Sequence, residues 1–209
     1  MSDYARQERA LLADLLIEVG PDAPTLCVGW TAKDLAAHLV VRERRPDAMA
    51  GAAIPPLAGH GEHVRKQKAA EPFPQVVAEV RNPPWWSPLS NRLTDELANG
   101  MEFFIHHEDV RRAAPGWTPR VLDTGEQKAL WNAVRLMARL SLRKLGFPVL
   151  LRAPGFGEVK IGGDGPGATV TGEPGELTLF VSGRQRAAKV TIEGSPEIVE
   201  RLRTARLGF

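Results

Sequence analysis

A helix that is apolar on most of its surface, yet carries a row of polar side chains, leaves few folds open to a chain. The segment Asn99-Gly100-Met101-Glu102-Phe103-Phe104-Ile105-His106-His107-Glu108-Asp109-Val110-Arg111 reads as such a helix. Met101, Phe103, Phe104 and Ile105 require that most of it be covered by other elements, which points to a bundle. Asn99, Glu102, His106 and Asp109 recur at spacings of three and four, so a polar seam runs along the same buried helix. An unpaired carboxylate there is costly, and Glu102 therefore needs a cationic partner.

A metal ion is one such partner. Glu102 and His106 stand one turn apart, with roughly 5 to 6 Å between their Cβ atoms, which suits two ligands of one cation. A third candidate, His38, lies in the amphipathic run Thr31-Ala32-Lys33-Asp34-Leu35-Ala36-Ala37-His38-Leu39-Val40, flanked by Ala and Leu. If the two helices pack antiparallel, His38, Glu102 and His106 make a set of two imidazoles and one carboxylate with coordination positions left open. That set suits a divalent, borderline-soft ion, zinc first, and an open position implies chemistry rather than scaffolding.

Each residue also has a plainer role. A histidine on an apolar face is commonly a hydrogen-bonded core residue, and a Glu and a His four apart can simply stabilise a helix by about 0.2 to 0.5 kcal/mol. Asp109 is spaced to orient an imidazole through its second nitrogen. His107 lies about 100° further round the helix and is expected to face elsewhere, although His107 or Asp109 could close the site as a fourth ligand. His60 and His63 could chelate an ion, but Gly59, Gly61, Glu62, Arg65 and Lys66 around them read as a solvated surface. The Gly162–Gly167 stretch lacks the Lys-Ser or Lys-Thr of a phosphate loop and reads as a turn. There is no Gly-x-Ser-x-Gly elbow, and Cys27 precedes a helix cap with no activating base evident beside it, so covalent catalysis has little support.

Around these residues the chain falls into two parts. Helical periodicity is read over Tyr4–Val19, over a helix capped by Thr31 with Asp34 as capping-box partner and ending before Pro46, over Gly59–Ala70 within a long connection, over Phe73–Arg81, over Leu89–Ala113, and over Asp123–Leu145. After Gly146 the pattern changes to short runs rich in β-branched residues, at Phe147–Arg152, Glu158–Ile161, Ala168–Thr171 and Ala188–Ile192, separated by Gly and Pro. Glu176–Ser182 is open to either helix or strand, and Ser195 caps a closing helix. The expected fold is mainly α with a small α/β second domain: residues 1–146 as a helical bundle and 147–209 as a mixed α/β unit.

Two motifs resemble a known family. Gly29-Trp30-Thr31-Ala32-Lys33-Asp34-Leu35-Ala36-Ala37-His38-Leu39, followed by Glu102-Phe103-Phe104-Ile105-His106-His107-Glu108-Asp109, is similar to the metal-site signature of the mycothiol-dependent maleylpyruvate isomerase family, within the DinB-like metalloenzyme superfamily. Gly175–Arg184 and Val190–Gly194 resemble the sterol-carrier-like C-terminal domain of the same proteins, in the same order along the chain. The resemblance implies a DinB-like four-helix bundle that holds zinc or a similar ion through His38, Glu102 and His106, with the thiol mycothiol as cosubstrate. Under that reading the protein is a thiol-dependent isomerase or transferase acting on a small molecule, and Arg42 and Arg184 are candidates to hold a carboxylate of thiol or substrate. The alternatives are surface arginines, and a non-catalytic metal- or ligand-binding protein.

Composition narrows the partners. The 27 basic and 25 acidic residues leave a formal charge of +2, too little for a dedicated nucleic-acid surface. No stretch approaches the roughly 18 apolar residues of a membrane span, and the first twenty residues carry Asp3, Arg6, Glu8, Arg9 and Asp14 rather than a signal-peptide core. A single cysteine excludes an internal disulfide. A cytoplasmic monomer or homodimer is expected.

Overall fold

The computed structural model describes residues 3–48, 58–86 and 99–208. The expected start of a helix at Leu89, and part of the long connection before Pro74, lie outside the described residues. A mainly helical region comes first, and a small four-stranded mixed sheet with helices follows.

The first unit, Met1–Thr118, contains α1 (Asp3–Val19), α2 (Ala32–Arg44), α3 (Ala58–Ala69), α4 (Phe73–Arg81) and α5 (Gly100–Arg111). Gly20 ends α1 with φ at 82°, a conformation that costs glycine little. The start of α2 is fixed by the capping box read in the sequence, with the Thr31 amide donating to Asp34 Oδ2 at 3.0 Å. The other carboxylate oxygen, Asp34 Oδ1, accepts from Arg65 Nη1 of α3 at 2.6 Å, so one residue both starts α2 and holds α3 to it.

The core of this unit joins Leu12 and Leu16 of α1, Leu35 and Leu39 of α2, Val76 and Val80 of α4, and Phe103 and Val110 of α5. Buried charges are paired within it. Arg9 of α1 donates to Glu43 Oε2 of α2 at 2.9 Å and to the Val80 carbonyl of α4 at 2.7 Å, and its guanidinium lies 4.1 Å from the centroid of the Phe103 ring. His107 Nδ1 is 3.1 Å from Glu8 Oε2. Nine of the twelve residues of α5 are buried, and these pairings set the rotation of the helix about its axis.

The second unit, Pro119–Phe209, contains α6 (Thr124–Leu142), a 3-10 turn (Arg143–Leu145), β1 (Val149–Ala153), β2 (Gly157–Ile161), β3 (Ala168–Thr171), α7 (Pro174–Val181), β4 (Thr191–Glu193) and α8 (Pro196–Thr204). The strand order is β2-β1-β3-β4. The outer pairs are antiparallel and β1 with β3 is parallel, with Leu151 opposite both Val159 and Val170. Glu176–Ser182, open in the sequence, is helical from Pro174, whose ring presets the first turn.

Two of the boundaries that differ from those read in the sequence have a specific physical cause. The chain divides between Thr118 and Pro119 rather than near Gly146. The reason is α6: its Trp131, Val134, Ala138 and Leu142 form one core with Val149, Leu151 and Val170 of the sheet, with Leu177 and Phe180 of α7, and with Leu202 of α8. Periodicity revealed the apolar stripe of α6 but not the surface that covers it. The last strand is also later and shorter than Ala188–Ile192, because the Lys189 amide is taken by Glu176 Oε2 at 2.6 Å and cannot enter the sheet ladder.

Candidate metal centre

The polar seam of α5 is used along its whole length. Asn99 Oδ1 accepts from Arg42 Nη1 at 2.6 Å. Glu102 Oε1 lies 3.2 Å from His38 Nε2, 3.3 Å from His106 Nε2 and 3.5 Å from Arg42 Nε. His106 Nδ1, on the far side of its ring, is 2.9 Å from Asp109 Oδ2. His38 and Arg42 project from α2 one turn apart, so α2 supplies an imidazole and a guanidinium to the seam of α5.

His38, Glu102 and His106 each offer one ligand atom, and these atoms all lie within 4.8 Å of one another. The two imidazole rings meet edge to face, 5.3 Å apart at 71°. Trp30 also packs against His38, the ring centroids 5.1 Å apart and the planes tilted by 46°, and Arg65 rests on Trp30 at 4.8 Å. The side chains of His38 and Glu102 remain 23% and 25% exposed while that of His106 is 8% exposed. The cluster is thus open to solvent on the side of His38 and Glu102.

The protonation of this cluster follows from burial and pairing. Burial opposes charge on both His106 and Glu102. For His106 it is outweighed by the hydrogen bond that its Nδ1 donates to Asp109, with Cys27 and Glu102 adding to it, and the imidazole is held protonated well above its ordinary range. For Glu102 burial is outweighed by hydrogen bonds from His106 and His38, and the carboxyl stays ionised well below its ordinary range. His38 goes the other way: desolvation lowers its pKa, aided by the neighbouring charges of His106 and Arg42. One imidazolium, one carboxylate and one neutral imidazole therefore meet at Glu102 Oε1, and protons hold the lone pairs that a cation would take.

His107 faces Glu8 and not the seam, as its position on the helix required. His60 Nε2 pairs with Asp47 at 2.9 Å and His63 is exposed; no metal-ligating group of three contains either among the described residues. Arg42 joins the cluster. Arg184 belongs to the second unit, where its Nη1 donates to the Ser182 carbonyl at 2.6 Å.

Cys27 corrects the sequence reading. Far from lacking acid-base neighbours, its Sγ lies 3.2 Å from Asp109 Oδ2 and 4.0 Å from His106 Nδ1. The loop that carries it is closed by an isolated bridge between Pro24 and Thr31 and is tied to α5 by the Leu26 amide, which donates to the Asp109 carbonyl at 3.0 Å. Within it Thr25 Oγ1 donates to the Trp30 carbonyl at 2.8 Å, and Gly29 takes φ of 78°. Cys27 and Asp109 are 82 residues apart, and no spacing in the sequence announces their meeting.

With this geometry the likeness to solved structures can be weighed. The crystal structure of the mycothiol-dependent maleylpyruvate isomerase superposes with a TM-score of 0.59 over 91% of this chain and 90% of that one, at 16% identity. The chain has the fold of that isomerase. A mutant of the same isomerase superposes with a TM-score of 0.60 over the same shares, at 15% identity. At such identities the likeness is one of fold, and it agrees with the architecture implied by the sequence motifs. No protein-family model matches the chain, and no curated protein matches it. Among the described residues, no helix is long and apolar enough to cross a membrane.

Proposed function

We propose that the helical unit binds one divalent cation, zinc first, through His38 Nε2, Glu102 Oε1 and His106 Nε2, and that the protein is a thiol-dependent isomerase or transferase of a small molecule, with mycothiol as the thiol. The observation that carries this reading is the convergence of two imidazole nitrogens on one carboxylate oxygen, at the part of the cluster left open to solvent. The donor set fits the ion: two neutral imidazoles and one carboxylate offer borderline-soft and hard ligands and leave a divalent cation with a net positive charge. The shared isomerase fold supports the same class of chemistry.

A cation bound here supplies a Lewis acid that stabilises a thiolate at neutral pH. The protein's own groups do the remaining work. Asp109 holds His106 with its Nδ1 proton outward and its Nε2 lone pair toward Glu102 and His38. Trp30 packs against His38 and limits its rotation. Arg42 is placed to release Glu102 and turn its guanidinium to an anionic group of the thiol or substrate, while its bond to Asn99 keeps it beside the site. Arg184 is proposed for the same kind of contact with an anionic group.

The test is a thiol titration of cobalt-substituted protein in a Cys27→Ser background, so that any sulfur on the metal comes from the added thiol. A sulfur-to-metal charge-transfer band at saturating mycothiol supports the reading. A cobalt spectrum that does not change assigns the cluster to a binding role without thiol chemistry.

A further inference from the structure

His106 has two nitrogens, and each faces a different set of ligands. Nε2 looks toward Glu102 and His38, while Nδ1 looks toward Asp109 and Cys27. We propose that Cys27 Sγ, His106 Nδ1 and Asp109 Oδ2 form a second cation site, selective for thiophilic divalent ions, that competes with the first site for His106.

The geometry carries the site. The three ligand atoms lie within 4.8 Å of one another, at 3.2 Å for sulfur to carboxylate, 2.9 Å for nitrogen to carboxylate and 4.0 Å for sulfur to nitrogen. A tetrahedral ion with metal–sulfur bonds near 2.3 Å and metal–nitrogen and metal–oxygen bonds near 2.0 Å needs ligand edges of roughly 3.3 to 3.6 Å. Two edges must open and one must close, each by only a few tenths of an ångström, which side-chain rotation can supply. Asp109 is fully buried and His106 nearly so, and both are carried by the same helix. Cys27 is partly exposed on a loop pinned by the bridge and hydrogen bonds described above, so the sulfur is held in place and an ion can reach it.

The donor sets differ in kind. The first site offers nitrogen and oxygen only, whereas the second adds a thiolate, and soft ions prefer sulfur. Binding replaces the thiol proton and the Nδ1 proton of the imidazolium by the cation and releases both to solvent. The imidazole meanwhile presents its lone pair at Nδ1 and carries its proton at Nε2. A neutral imidazole has one lone pair to give, so an ion on Nδ1 leaves a proton on Nε2, where the first site needs a ligand. A thiophilic ion at Cys27 therefore withdraws His106 from His38 and Glu102. The competition rests on the function proposed above, but the second site does not.

Two measurements in thiol-free buffer test this. Cadmium titrated into His38→Ala protein, which lacks a ligand of the first site, should bind one equivalent with a sulfur-to-metal charge-transfer absorption that is absent from His38→Ala/Cys27→Ser. Glu102→Gln serves as a second background, and circular dichroism verifies the fold of each. Lack of the band in folded His38→Ala and Glu102→Gln proteins overturns the second site. For the competition, cadmium added to wild type loaded with one zinc should release that zinc far more readily than from Cys27→Ser. Equal release from both proteins overturns the competition, since cadmium would then be entering at His38 and Glu102. A wild type that never binds zinc refutes the first site and leaves the cadmium measurement to judge the second.

Discussion

His106 and Asp109 stand three residues apart on one helix, and Nδ1 of the imidazole lies 2.9 Å from a carboxylate oxygen with no exposure of its own. The pairing fixes the orientation of the ring, with Nδ1 toward Asp109 and Nε2 toward Glu102. A carboxylate in this position raises the basicity of the ligand and stops its ring from turning.

Replacing Asp109 by Asn should therefore weaken zinc binding by about 10- to 100-fold without abolishing it. Competition with a chromophoric chelator measures the change. An affinity equal to wild type would remove Asp109 from any part in the site.

In a Cys27→Ser background, which removes the sulfur of the second site, His38→Ala and His106→Ala should each lose stoichiometric zinc as read by elemental analysis, since each leaves only two ligands of the first. Full retention of metal in the double variant would refute the three-ligand centre.

Zinc affinity should rise with pH. In the metal-free protein His106 is held protonated above its ordinary range, and the ion must displace that proton, so tight binding develops only as pH rises toward the raised pKa. The metal-free protein should show the opposite trend in its own stability. A group whose pKa is raised by folding stabilises fully below its unfolded value, about 6.5 for histidine, and that contribution disappears as pH rises through the folded value. Urea unfolding of the metal-free and zinc-loaded forms across neutral and alkaline pH measures both trends. Parallel pH profiles for the two forms would exclude the proton exchange.

Asp34→Asn should destabilise the helical unit by about 1 to 3 kcal/mol, because it weakens the Thr31 cap and removes one of the two carboxylates, the other being Glu62, that pair with Arg65, 8% exposed. Burial works against ionisation of Asp34, but its hydrogen bonds from Arg65 and Thr31 prevail and its pKa is lowered by folding. Its contribution is therefore present above the ordinary aspartate range and is lost as pH falls through the folded value. Acid unfolding should thus begin at higher stability in wild type and converge with the variant at low pH.

A fragment of residues 119–209 should fold, whereas 147–209 should not. Removal of α6 takes Trp131, Val134, Ala138 and Leu142 out of the core formed with the sheet. Truncating one such residue, Trp131→Ala, should alone cost about 3 to 5 kcal/mol. The dispersion of amide proton shifts distinguishes the two fragments, and a well-dispersed 147–209 fragment would restore the boundary near Gly146.

The helices and most strands were legible in the sequence because they depend on local chemistry: Thr31 with Asp34 starts α2, Ser195 caps α8, and apolar residues recur at helical or alternating spacing. The polar seam of α5 was legible for the same reason, since Asn99, Glu102, His106 and Asp109 lie within eleven residues and one helix fixes their directions. What lies across from each face was decided only by tertiary packing. Sequence periodicity shows that α6 has an apolar stripe, but the choice between the helical unit and the sheet depends on which surface completes a close-packed core. The meeting of Cys27 with Asp109 depends in the same way on a loop pinned by backbone bonds to a helix 82 residues away, and no local rule encodes a distance of that kind. Backbone geometry and side-chain spacing propagate over a few residues, whereas contacts between remote segments are set by the simultaneous burial of all of them.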